Sequence, residues 1–343
     1  MRVPVSLLGA TGSVGQRFVS MLADHPFFEI VELFASEKSA GKSYRESVNW
    51  ILDTPIPERI GEIQVKSLEH TPSTRIVFSA LPSDIAGVLE RKLAGEGRFI
   101  FTNASTNRMA DDVPIIVPEV NPDHLELIKG KKGFIVANPN CTTSGLVIPL
   151  KAIMDAFGLE KVLVVTMQAI SGAGYPGIPA LSIYDNLVPH IDREEDKVRR
   201  ESLKILGRAS KSGVEPADFE IDARCTRVPV RDGHTEVVFI KTREKVSVRE
   251  VRDILSSFRA MPQRMELPTA PDVPVIVTDD RFRPQPYTDR MNGNGMSVTL
   301  GNLRDDAIMG ITFTIVVHNT VRGAAGGSIL NAELAYKLGY LEV

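Results

Sequence analysis

At 343 residues the chain is longer than one ordinary domain, and roughly 100–200 residues per domain predicts two. Hydrophobic residues make up 43% and the formal net charge is only −3, so a large core can form and no basic excess points to nucleic acid or an anionic membrane. Two distant cysteines, Cys141 and Cys225, and six scattered histidines lack metal-ligand spacing, which predicts no metal site and fits a reducing cytoplasm.

The run Val3–Leu8 is short and apolar and stops at Gly9, as a buried parallel strand does and a signal peptide does not. Apolar residues at helical spacing follow over Val14–Ala23. Glu29–Ala35, Arg75–Ala80, Phe99–Asn103 and Phe134–Ala137 read as further strands, with a helix over Asp84–Gly95. This alternation predicts a Rossmann-type, doubly wound parallel sheet over residues 1–141. Thr142–Phe157 reads as a helix that tolerates Pro149. Beyond it come longer alternating segments: Val162–Ile170, Phe219–Val230, Thr235–Thr242, Val273–Thr278, Ser297–Asn302 and Ile308–Val317. With helices near Arg193–Gly207 and Val248–Ala260, they predict an α+β domain over 142–319 built on a largely antiparallel sheet. A small-residue helix, Val321–Lys337, is expected to return to the first domain, which 320–343 then completes. No apolar stretch approaches the ~20 residues that a membrane helix needs.

Gly9-Ala-Thr11-Gly12-Ser13-Val14-Gly15 leaves the first strand and opens a helix. There the glycines permit a tight turn and let backbone N–H groups meet a pyrophosphate. The spacing is G-x-x-G-x-x-G, a variant of the usual fingerprint. An NAD enzyme usually places a carboxylate after the second strand. Here Ser36, Ser39 and Lys42 stand in that region, which would welcome a 2′-phosphate and so predict NADP. Glu37 reverses that preference if its carboxylate points inward.

Asn138-Pro-Asn140-Cys141-Thr-Thr follows an apolar strand and precedes a helix. Free N–H groups at a helix start stabilise a thiolate, the reactive form, so Cys141 is the candidate nucleophile. Asn140 and the Cys141 N–H are candidate donors to an oxyanion. Cys225 lies inside an alternating strand and reads as packing. His234, in a Gly-His turn, is the candidate to move protons on and off the thiol and the carbonyl oxygen. Arg227, seven residues earlier, offers a planar fork for a carboxylate.

The run N-P-N-C-T-T is similar to the active-site motif of the aspartate-semialdehyde dehydrogenases, and the resemblance covers nearly the whole chain. G-A-T-G-S-V-G-Q opens it, and Phe34–Lys42 and Asn103–Met109 look like its adenosine-phosphate loop and phosphate-binding turn. Gln168–Gly174, Arg227–Thr235 and His318–Ala325 complete the set, the last two resembling the archaeal and fungal branch. The resemblance implies reversible, NADP-dependent reductive dephosphorylation of L-aspartyl 4-phosphate to L-aspartate 4-semialdehyde through a Cys141 thioester, in lysine, threonine and methionine biosynthesis. It implies that Gln168 orients the substrate, Arg227 takes its carboxylate, Glu194 its ammonium, and Arg108 and Lys197 its phosphate. Asp192–Lys197 is dense in charge and allows several alignments for the helix pair. Ser79, Ala80 and Leu81 are expected to border the cofactor, and Ser171, Gly172 and Asn319 to meet its nicotinamide. The family usually forms dimers or tetramers through the second domain, so a homo-oligomer is expected.

Other readings use the same residues. A malonyl-CoA reductase also works through a cysteine thioester but needs no ammonium-binding carboxylate. A non-catalytic NADP sensor explains the glycine turn and leaves Cys141 and His234 without a purpose. A cysteine hydrolase explains those two and not the turn. N-acetylglutamyl-phosphate reductases usually carry G-C-Y, and glyceraldehyde-3-phosphate dehydrogenases an N-terminal N-G-F-G-R-I-G; neither stands here.

Overall fold

The computed structural model describes residues 2–210 and 213–341. Six strands form a parallel sheet: β1 (Val3–Leu8), β2 (Phe28–Ala35), β3 (Val65–Ser67), β4 (Ile76–Ser79), β5 (Phe99–Thr102) and β6 (Phe134–Ala137). Their order is β3-β2-β1-β4-β5-β6, so the sheet reverses direction of winding between β1 and β4. In such sheets the crevice at the carboxyl ends of the two central strands is where ligands bind. Helix α1 (Ser13–Leu22) follows β1, and α2 (Ser83–Gly95) follows β4. Strands β4, β5 and β6 are buried at every position, which explains their continuous apolar runs.

Helix α3 (Cys141–Phe157) joins this sheet to the rest of the molecule. Residues from Thr142 to Pro149 are all buried, and the helix runs on through Pro149. A helix apolar on every side belongs in an interior. Its core partners come from both directions: Leu8, Val77 and Ile135 from the first sheet, Val164, Val238 and Ile315 from the second.

The second sheet contains β7 (Leu159–Gln168), β10 (Glu220–Arg227), β11 (His234–Thr242), β12 (Val275–Val277), β13 (Val298–Asp306) and β14 (Gly310–Val317), in the order β10-β7-β11-β14-β13-β12. A separate hairpin pairs β8 (Arg208–Ser210) with β9 (Gly213–Glu215). The three central joints of the sheet are antiparallel, whereas β10 joins β7 and β12 joins β13 in parallel. The sheet is therefore mixed, antiparallel at its centre and parallel at both edges. Alternation along β7 buries Val162, Val164, Thr166 and Gln168 and leaves Leu163 and Val165 about two-fifths exposed on the other face. Helices α4 (Glu194–Ile205) and α5 (Val248–Ser257) lie on the buried side with α3.

Helix α6 (Gly326–Lys337) packs against the first sheet, where Ile329, Leu330 and Leu334 share a core with Val5, Phe18 and Phe78. It is preceded by one π-helical turn, Val321–Ala325, in which Gly323 N–H reaches the His318 carbonyl at 3.0 Å. Arg322 in that turn forms a two-pronged pair with Glu119 at 2.7 and 2.5 Å, and both side chains are buried. Among the described residues no helix is long and apolar enough to cross a membrane.

Candidate active site

A cleft of about 850 Å³ runs from the carboxyl ends of β1 and β4 to the start of α3. At one end the glycines of the first turn make the space. Gly9 has φ +75°, and a β-carbon there would lie 2.6 Å from the Ala80 carbonyl oxygen. A β-carbon on Gly15 would lie 2.2 Å from the Gly9 oxygen, so only glycine lets the turn close on its own helix. Gly12 caps α1 without a side-chain hydrogen bond, which leaves the first N–H groups of a ten-residue helix facing the cleft. Gly9, Thr11, Gly12, Ser13, Val14, Ser36, Ala80 and Leu81 line this end. Gly15 and Ser79 lie beneath the wall and are buried.

Ser39 and Lys42 do not line the cleft; Ser39 is half-buried in the turn and Lys42 is exposed. Both stay on the turn that follows Ser36, whose composition suits a phosphate. Glu37, which threatened the NADP preference, is exposed and its carboxylate accepts a hydrogen bond from Ser67 Oγ at the end of β3. It is thereby held against the outer strand.

At the other end Cys141 opens α3. Asn140 Oδ1 accepts from the N–H groups of Thr142 and Thr143 at 3.0 and 3.3 Å, an N-cap, while its Nδ2 donates to Glu194 Oε1 at 2.8 Å. The Asn140 side chain was expected to serve an oxyanion. Its oxygen caps the helix and one amide hydrogen goes to Glu194, so the second amide hydrogen is the one that could serve that role.

The Cys141 sulfur lies 3.1 Å from His234 Nε2. The backbone N–H of Ala169 donates to His234 Nδ1 at 3.0 Å. That nitrogen must hold the lone pair, so the neutral ring carries its proton on Nε2, facing the sulfur. Burial first, and Arg227 second, hold the imidazole well below its ordinary range, so the ring is neutral. Burial and then the Glu194 charge push the Cys141 thiol up to about 12, against the pull of Arg227, Arg108 and Lys197. Burial and Glu194 thus act in the free site against the thiolate that the helix start favours.

Arg227 and Gln168 stand at the adjacent ends of β10 and β7, paired in register. Arg227 Nη1 donates to the Ala169 carbonyl at 2.8 Å, and a β-carbon on Gly172 would meet that same nitrogen at 2.6 Å. The Ser171–Gly172 loop therefore lies directly over Arg227 and His234. Gln168 is buried and donates to Thr166 Oγ1 at 3.3 Å. Neither Gln168, Arg227 nor His234 lines the open cleft; they form the layer behind it. Ser171, Gly172 and Asn319 do line it, and Asn319 ties two motifs together, accepting from Gly233 N–H at 2.9 Å and donating to Ser171 Oγ at 2.8 Å. Arg108, Glu194 and Lys197 line the same end, with Lys197 donating to Glu194 at 3.3 Å.

Sequence reasoning missed Glu201, Lys204, Gly323 and the Glu119–Arg322 pair. Glu201 and Lys204 continue the face of α4 that carries Glu194 and Lys197, so the helical period held the signal. Gly323 sits against Cys141, a relation that no local pattern shows. Cys225 is buried in β10 and serves packing. No group of metal-ligating side chains occurs among the described residues.

Two family models match the chain: semialdehyde dehydrogenase, NAD binding domain, over residues 4–128, and semialdehyde dehydrogenase, dimerisation domain, over residues 150–322. An aspartate-semialdehyde dehydrogenase of Archaeoglobus fulgidus is 50% identical over 98% of this chain and 99% of its own length. The chain belongs to the aspartate-semialdehyde dehydrogenase family. Membership makes it an enzyme. The Schizosaccharomyces pombe member of the family is 44% identical over 98% of this chain and 99% of its own. The crystal structure of the Candida albicans family member with NADP superposes with a TM-score of 0.93 at 36% identity, covering 99% of this chain and 100% of that one.

Proposed function

We propose that the protein reduces L-aspartyl 4-phosphate to L-aspartate 4-semialdehyde, reversibly and with NADP, within lysine, threonine and methionine biosynthesis in the cytoplasm. The carrying observation is the 3.1 Å contact between His234 Nε2 and the sulfur of Cys141, which lines the cleft whose far end is the glycine turn. The uncapped start of α1 and the missing β-carbon of Gly9 fit a dinucleotide pyrophosphate there, with Ser36 toward the adenosine side. A nicotinamide cofactor bound in that end supplies or accepts hydride. Residues 1–141 with 320–343 hold it, and residues 142–319 hold the substrate.

The sulfur of Cys141 attacks the acyl carbon, the carbon–oxygen bond to phosphate breaks, and the thiol proton leaves on the phosphate. The thioester remains on Cys141. His234 donates a hydrogen bond from its Nε2–H to the oxygen of the tetrahedral adduct and holds that charge until the carbonyl re-forms. The same N–H stabilises the thiolate when the carbon–sulfur bond breaks. Arg227 takes the α-carboxylate, and Glu194 the ammonium. Arg108 and Lys197 take the phosphate, and Gln168 orients the acyl group. A carboxylate in the cleft suits an amino-acid substrate better than malonyl-CoA, which carries no ammonium at that place.

The exposed apolar residues of the second sheet, Leu163 and Val165, support a homodimer or homotetramer formed through that face. The test is a spectrophotometric assay of NADP reduction by aspartate semialdehyde with and without phosphate, beside malonyl-CoA with NADPH. Phosphate-dependent turnover of the semialdehyde is expected, and its loss in Cys141→Ala. Turnover of malonyl-CoA alone overturns the reading.

A further inference from the structure

Helix α4 carries Glu194, Lys197, Glu201 and Lys204, whose spacing of three, four and three places them on one face. Glu194, Glu201 and Lys204 are buried. Lys204 donates to the carbonyls of Arg108, Ala110 and Val113 at 2.7, 2.8 and 2.9 Å and so fixes the loop that begins at Arg108. Glu201 divides its two oxygens. Oε1 accepts from Arg108 Nη1 at 2.9 Å, and Oε2 accepts the backbone N–H of Asn140 at 2.6 Å. Asn140 is the cap of the helix that Cys141 opens. One rigid carboxylate thus spans from the arginine to the residue before the nucleophile.

Neutralising a buried guanidinium requires only a nearby carboxylate. It does not require the second oxygen to grip the nucleophile's turn. Arg108 has one other anchor, the Asn103 carbonyl at 2.7 Å, and its Nε has no partner among the described residues. In an acyl phosphate a single oxygen joins the attacked carbon to phosphorus. The nucleophile and the phosphate anchor must therefore keep a fixed separation, since small misplacements are costly in rate.

We propose that Glu201 is a positioning residue that sets Arg108 at a fixed distance from Cys141. This role deepens the proposed function and rests on it, because it takes Arg108 as the phosphate contact.

Glu201→Gln offers one acceptor and one donor, so its NH₂ must face either Arg108 or the Asn140 N–H, and one anchor is lost. The phosphate KM in semialdehyde oxidation is expected to rise about tenfold and kcat to fall about tenfold. The semialdehyde KM and the NADP Kd stay within about twofold, since neither Arg227 nor the glycine turn touches Glu201. The midpoint of Cys141 alkylation against pH also moves down. Arg108 loses its counter-charge and favours the thiolate more strongly, while Glu194, Arg227, Lys197 and His234 are unchanged. A packing defect alone does not give that sign. Glu201→Asp keeps the charge but is one methylene shorter; it should raise the phosphate KM about threefold and leave the midpoint in place. An unchanged phosphate KM in both variants, an unmoved midpoint in Glu201→Gln, or an equal rise in all three constants overturns the positioning role. Wild-type oxidation that ignores phosphate overturns the proposed function itself, and the two failures are told apart by the wild-type control.

Discussion

Gly323 lies against Cys141 so closely that a β-carbon on it would stand 2.8 Å from the cysteine's own. The contact joins the π-helical turn before α6 to the first residue of α3. Asn138 Nδ2 secures it by donating to the Gly323 carbonyl at 3.1 Å. Gly323→Ala should push the sulfur away from His234 Nε2. We expect kcat to fall at least about tenfold, with about 1–3 kcal/mol lost in thermal or urea unfolding. Wild-type kcat in this variant would show that the sulfur's position is not set from this side.

The thiol of Cys141 is raised in the free enzyme, by burial first and Glu194 second. A raised thiol is protonated at neutral pH, so alkylation by iodoacetamide should be slow there and climb through the alkaline range, above free cysteine's midpoint. Glu194→Gln removes the raising charge. It should speed alkylation several-fold at a fixed alkaline pH while weakening semialdehyde binding. Slower alkylation in that variant would mean that Glu194 acts through the Asn140 cap and not through its charge.

The buried pair of Arg322 and Glu119 has both side chains almost wholly out of water. Arg322→Met leaves a carboxylate stranded, and we expect about 3–5 kcal/mol of lost stability by chemical denaturation. Pairing it with Glu119→Leu should recover most of that loss. If the double variant is no more stable than the single one, the turn needs the guanidinium for more than charge compensation.

Cofactor preference follows from where Glu37 points. Ser67→Ala releases its carboxylate from β3 and lets it swing toward the adenosine end. NADP affinity should then fall several-fold relative to NAD, because a carboxylate repels a 2′-phosphate and accepts from a 2′-hydroxyl. Lys42→Ala should change either affinity by less than about twofold, since Lys42 stands outside the cleft. Titration of both nucleotides by fluorescence quenching separates these outcomes.

Five strands of the first sheet were legible, since β4, β5 and β6 are buried on both faces and show unbroken apolar runs, whereas the three-residue edge strand β3 was missed because it is too short to show a pattern. The edges of the second sheet were less so. The joints of β10 with β7 and of β12 with β13 are parallel, and alternation within a strand carries no direction. The hairpin of β8 and β9 is too short to give a period. At the site, Cys141, His234 and Arg227 stood out by residue type and place. What Asn140 does depends on Glu194 and Glu201, 54 and 61 residues away, and only packing reveals it. Ser39 and Lys42 were named by composition alone, which carries no information on how the turn after β2 aims them.

Asn319, Thr320 and Gly323 follow the second sheet in the chain, as does α6, which fills the core of the first sheet. During synthesis the glycine turn of β1 emerges early, but the wall opposite it arrives only after the whole second sheet. A nascent chain therefore has no finished pocket until the second sheet has been made. The sulfur of Cys141 meets Gly323 at the same stage of synthesis at which α6 reaches the first sheet.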